Sequence, residues 1–219
     1  MTKRGATLLG ATLLALGCSH PEKGVVDQFF NAANAKDAQT LASFSAVSFD
    51  QKVDRWDIKG TSSETENDMP LPALVQKVKD LEAELNNNTR AARAYNTDHW
   101  QELDQVKALA KGAAVPAKLQ PVKAEWDKYN EKDRELKRAI ASAKDAVEKE
   151  KRAMARSVGQ VDNLDALAGK VKEKVLDLEL TIAGQARPYT MVVRKYEPKA
   201  EGGQRVMSRW MIQSLQPKA

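Results

Sequence analysis

Few residues in this 219-residue chain could carry out chemistry, and they stand far apart. Cys18 is the single cysteine, and the only histidines are His20 and His99. A zinc or iron centre needs several Cys, His or carboxylate ligands closely spaced, and neither histidine has a Cys or His three or four residues away. General acid–base work needs two carboxyls sharing a low-dielectric cleft. Here Asp127, Glu131, Asp133 and Glu135 alternate with Lys and Arg, the pattern of a solvated helix face. No Gly-rich phosphate loop precedes a helical pattern, Gly202-Gly203 reads as a turn, and no Gly-x-Ser-x-Gly elbow occurs. The expectation is therefore a non-enzyme without metal or cofactor.

What Cys18 does is set by the residues before it. Lys3 and Arg4 form a basic head, and an apolar run of 11 residues follows from Ala6 to Leu16. That is a secretory signal, shorter than the roughly 20 apolar residues of a membrane span. The closing Ala15-Leu16-Gly17-Cys18 resembles the lipobox of bacterial lipoproteins, with the commonest Leu-Ala order swapped. The resemblance implies cleavage between Gly17 and Cys18, a diacylglyceryl thioether on Cys18 and acylation of its freed amine. Ser19 in place of Asp implies sorting to the outer membrane by the rule of enteric bacteria. Residues 1–17 are then a signal peptide and 18–23 a lipidated tether, with the membrane as partner and nucleic acid out of reach. No thiol is left for a disulfide.

The bulk composition limits the core. Aromatic residues are 5% and charged residues 30% of the chain, so much of it must be surface. Loss of Lys3 and Arg4 lowers the net charge from +5 to +3. From Ala186 onward seven basic residues face only Glu197 and Glu201. Such a segment could lean on an anionic envelope surface, although ordinary solubilising charge on exposed strand faces is the stronger reading.

The elements follow from periodicity. Val25 to Phe49 is helical in pattern, with Asp37 starting a second short helix. Trp56 and Ile58 share one face of a strand, and Gly60 to Asp68 is expected as a polar loop. From Leu71 the apolar steps become 3, 4, 3, 4 through Leu74, Val78, Leu81 and Leu85, the heptad of a coiled coil, in a phase that continues to Leu109. Gly112, Pro116 and Pro121 interrupt the chain, and a second series runs from Val122 to Met154. The short break favours an intramolecular antiparallel hairpin and a monomer; pairing between chains would give a helix-swapped dimer. The preferred register sets Asn88 opposite Asp133, Ala92 opposite Tyr129 and Leu85 opposite Leu136. Leu176, Leu178, Leu180 and Ile182 then alternate along a strand, and Tyr189–Tyr196 and Val206–Leu215 complete a meander.

The fold class is thus α+β: a small antiparallel sheet with N-terminal helices, split as residues 24–60 and 170–219 by a coiled-coil hairpin at 71–158. Phe29-Phe30, the break at Ala32–Asp37, the Trp56-Asp57-Ile58 strand and the closing Trp210-Met211-Ile212 strand resemble the cystatin-like roll of the nuclear transport factor 2-like superfamily. The helical arm departs from that family as an insertion. Two sites are candidates: an aromatic arm tip (Tyr95, Trp100, Trp126) for an envelope protein partner, and an apolar pocket in the roll (Phe30, Trp56, Trp210) for a small lipid-like ligand.

Overall fold

Helix α1 (Pro21–Asn34) presents Val26, Phe29, Phe30 and Ala33 on one side, the i, i+3, i+4, i+7 spacing of a core-facing stripe. It ends where Asn34 exchanges two hydrogen bonds with Val53, its Nδ2 donating to the Val53 carbonyl at 2.7 Å and its Oδ1 accepting from the Val53 amide at 2.9 Å. The computed structural model describes residues 21–109, 113–159, 161, 163–164, 167–199 and 207–218. Helix α2 (Ala38–Phe44) starts as expected at Asp37, which caps it by accepting from the Thr40 amide at 3.0 Å. Signal peptide and Cys18 lie outside the described residues.

The sheet is antiparallel, with strand order β1-β3-β4-β5 and β2 also paired to β3. Its strands are β1 (Arg55–Thr61), β2 (Thr65–Asp68), β3 (Ala168–Ile182), β4 (Gln185–Lys199) and β5 (Met211–Pro217). The polar stretch expected as a loop supplies β2: Thr65 to Asp68 extend β3 pairing beyond β1, with Lys170 on Asp68 at 2.9 Å. Its residues are all exposed, so no apolar period announces it. β3 and β4 are each 15 residues, longer than their apolar runs; β5 begins at Met211, with Met207 to Trp210 outside it, while Val206 and the Gly202-Gly203 turn lie outside the described residues.

The long strands pair without a register shift from Ala168↔Lys199 to Ile182↔Gln185. In such a ribbon side chains alternate between faces, yet the buried parity changes midway. Leu176, Leu178, Leu180, Tyr189, Met191 and Val193 are buried on one face, under α1 and α2. Val171, Tyr196 and Met211 are buried on the other, against Leu71, Val147, Met154 and Val158. The sheet therefore carries two cores on opposite faces, one at each end of the ribbon, where the sequence pattern suggested a single covered face. Where the second core begins, the first face turns ionic. Lys172 meets Glu64 and Glu197, and Lys174 bonds the buried Glu22 at the start of α1. That bond raises the Lys174 ammonium above the usual lysine range.

The second core roots a helical arm. α3 (Leu71–Asp98) packs antiparallel on α5 (Gln120–Val158), spans of about 42 and 58 Å at 1.5 Å per residue. Glu84–Lys132 and Glu82–Lys144 pair across them at 2.7 Å each. Asn88 and Asp133 share a groove, but the Asn88 amide donates to the Tyr129 carbonyl at 3.1 Å while Asp133 pairs with Lys137. The first heptad series is not one helix to Leu109. His99 leaves helical geometry (φ −118°, ψ 26°), and a separate α4 (Trp100–Lys107) follows. The break resets the phase, so Leu103 is buried rather than Glu102 or Val106. Pro121 does not end a helix; it sits in the first turn of α5, where its missing N–H is tolerated.

Polar bonds fix the root. Tyr196 is fully buried; its hydroxyl donates to Glu150 at 2.8 Å and accepts from Arg194, which also holds Glu173 at 2.9 Å. Burial above all pushes this phenol well above the ordinary tyrosine range, so it stays protonated. Ser157, also buried, accepts from the Tyr196 amide at 3.0 Å and donates to the Arg209 carbonyl at 2.7 Å. Much of the basic C-terminal charge is spent locally: Arg194 as above, Lys195 on Glu197, Lys218 on Asp177, and Arg209 on the carbonyls of Arg156 and Ser43. Ser157→Ala leaves the Tyr196 amide buried without its acceptor. It is expected to cost about 2 kcal/mol, read as a lowered urea midpoint.

Candidate functional site

The three aromatic residues expected at the arm tip have separate environments. Tyr95 lies between the helices, its hydroxyl donating to the Val122 carbonyl at 3.3 Å and its ring 4.4 Å from His99 and 5.6 Å from Tyr129. Burial, then the charge of Glu125, pushes its phenol up. Trp100 opens α4 and is 60% exposed, one of two large apolar side chains so exposed among the described residues. Trp126 is half-buried and lines a groove of about 530 Å³ between α3 and α5.

That groove is built from an unusual stretch of α3. Between Glu84 and Asp98 the helix contains no acidic residue and no lysine, but has Asn86, Asn87, Asn88, Thr89, Asn96 and Thr97. Four of these, Asn88, Thr89, Asn96 and Thr97, line the groove with Ala92 and Arg93. Trp126, Tyr129, Asn130 and Asp133 of α5 form the opposite wall. Ala92 is small where most arm positions of this phase are larger, which opens space beside Tyr129. Asn and Thr are poor helix formers, each up to about 0.7 kcal/mol worse than Ala in a helix interior. Outside this segment both arm helices use Lys, Glu and Ala heavily on their outer faces. Asn88 returns one bond between the helices, while breaks of a local folding rule of this kind are expected at functional or strained sites.

The residues expected to line a pocket under the sheet behave differently. Phe30 is fully buried, with ring centroids 5.2 Å from Phe29 and from Trp56. Trp56 donates its indole N–H to Asp27 at 2.7 Å. Trp210 packs near Lys174, whose Nζ is 5.2 Å from its ring centre. Trp56 pairs with Leu180, so the two tryptophans are moored six residues apart on β3, about 20 Å at 3.3 Å per residue. Between them Phe29, Phe44, Leu176, Leu180 and Met191 are fully buried side chains of one core. The structure thus joins Phe30 to Trp56 and leaves Trp210 at the other end of the layer.

Sequence reading named Trp126 but missed Asn96, Thr97 and Asn130 beside it. The signal is present as a run of amides and hydroxyls inside a helix otherwise rich in Lys and Glu. A second groove near the arm root, about 480 Å³, is floored by Val75, Val78 and Val147. Among the described residues no three His, Cys, Asp or Glu side chains gather as a metal site, and no helix is long and apolar enough to cross a membrane. No family model matches the chain, and no curated protein or solved structure matches it significantly.

If the groove residues are kept for a reason other than folding, their removal should stabilise the arm. Thr89→Ala combined with Asn96→Ala is expected to raise unfolding stability by about 1 kcal/mol, measured by urea titration. A loss of stability would assign these side chains a folding role.

Proposed function

We propose that this protein is a lipid-anchored lipoprotein of the cell envelope, held in the outer membrane through Cys18, whose arm makes contact with a protein partner. In this reading α3 and α5 form a coiled-coil hairpin inserted into a cystatin-like roll. The roll is the anchored base, the hairpin the reaching part, and no step of catalysis is involved. Location is carried by the Lys3-Arg4 head, the apolar run and the Ala15-Leu16-Gly17-Cys18 quartet.

One observation carries the role of the arm: Trp100 stands 60% exposed, the one large apolar side chain so exposed among the described residues of the arm. A large indole in water is a poor solubilising choice, whereas tryptophan is enriched among the residues that dominate protein interfaces. The root supports the same reading, because the Tyr196–Glu150–Arg194 bonds and the two Ser157 bonds tie α5 to the sheet. A contact made at the distal end is then presented by a stiff support rather than a loose one.

Two arms of one experiment test this. Cys18→Ser should shift the protein from the membrane to the soluble fraction and abolish incorporation of labelled palmitate. A photoreactive residue at position 100 in the otherwise intact protein should give a discrete cross-linked protein adduct in envelopes. Membrane retention of the serine variant would contradict the anchor, and absence of any adduct would contradict the contact.

A further inference from the structure

We propose that the groove between α3 and α5 at Trp126 is a saccharide-binding site. The inference goes beyond the Trp100 contact and does not depend on it. The lining decides the ligand class. Within the described residues, the Thr89, Asn96 and Asn130 side chains and the Arg93 guanidinium make no hydrogen bond or ion pair inside the protein, while Asp133 is already matched by Lys137. Amides and hydroxyls both donate and accept, as sugar hydroxyls do, and the indole of Trp126 offers a flat apolar surface to the C–H face of a pyranose ring.

Other ligand classes fit less well. A lipid chain would cover these amides without giving them hydrogen-bond partners, which burial penalises. A multiply charged phosphate ligand would meet one arginine, Arg93, and a carboxylate. An extended peptide strand needs a sheet edge, and a helical peptide a continuous apolar stripe; this groove supplies neither. Its volume, about 530 Å³, lies in the 300–1,000 Å³ range of small-ligand sites, room for a short oligosaccharide. The polar stretch of α3 also coincides with the groove, so the cost in helix propensity falls where a neutral hydrogen-bonding ligand would use it.

The test uses the full-length protein, purified in a detergent without a sugar headgroup, titrated calorimetrically with an N-acetylglucosamine tetramer and with maltotetraose. Saturable one-to-one binding to at least one sugar is expected, weakened about tenfold or more by Trp126→Leu and by Asn130→Lys. Asn130 is exposed, so its variant reports on the groove even if the Trp126 variant unfolds. No binding of either sugar by the folded protein would overturn the proposal. Binding that survives Asn130→Lys unchanged would overturn it too, by placing the sugar elsewhere.

Discussion

The structure depends on the unbroken pairing of β3 with β4. Fifteen residues of each strand stay in register, so an apolar residue at even or odd position is committed to one face. Toward the Ile182 end the buried positions lie on the face covered by α1 and α2. Toward the Ala168 end Val171 and Tyr196 lie on the other face and need a different cover. The chain provides it by bringing the first residues of α3 and the last turns of α5 onto that face. A two-sided ribbon thus allows a modest stock of large apolar residues to hold both an N-terminal helical layer and a long arm.

The arm is held by a different mix of forces from the layer. Under α1 the contacts are mainly apolar and aromatic, with Phe30 at the centre of three ring contacts. At the root, Met154 and Met211 supply packing while Tyr196, Glu150, Arg194 and Ser157 supply orientation. Buried hydrogen bonds of this kind add modest net stability but are costly to leave unmade, so they favour one geometry over its neighbours. Farther out, α3 brings half-buried leucines and valines and α5 the buried Leu136, Ile140 and Ala143; a more polar stretch at Asn88, Ala92, Tyr95 and Tyr129 follows, and Leu103 and Leu119 are buried again beyond it. No residue of that middle stretch is fully buried, and polar function has room there.

Much of this was legible in the sequence, and the misses have physical causes. Periodicity located α1, the Asp37 cap, both arm helices and the alternating segment at Leu176–Ile182, because each buries one face over several turns or pleats. β2 was missed since Thr65–Asp68 is exposed on both faces and is held by backbone bonds to β3. The break at His99 was missed because heptad spacing continues through it in the sequence although the helix does not. The second core left a readable trace. Lys170, Lys172 and Lys174 share parity with Leu176 and Leu178, and Tyr196 is out of step with Tyr189, Met191 and Val193. Read as a switch of faces, those residues foretell the arm root. The groove was half legible: Trp126 was singled out by size, while the amides beside it are noticeable only once two distant segments are seen to face each other.

With its root bonded in this way, the arm should move with the sheet as one rigid lever. Pulsed electron spin resonance between spin labels at positions 101 and 186, placed on a Cys18→Ser background, measures this. Both sites are exposed, one on α4 and the other in β4 near the far end of the sheet. A single narrow distance distribution is the expected result. A broad or multiple distribution would mean that the arm swings on its root and that the bonds of Tyr196 and Ser157 do not fix it.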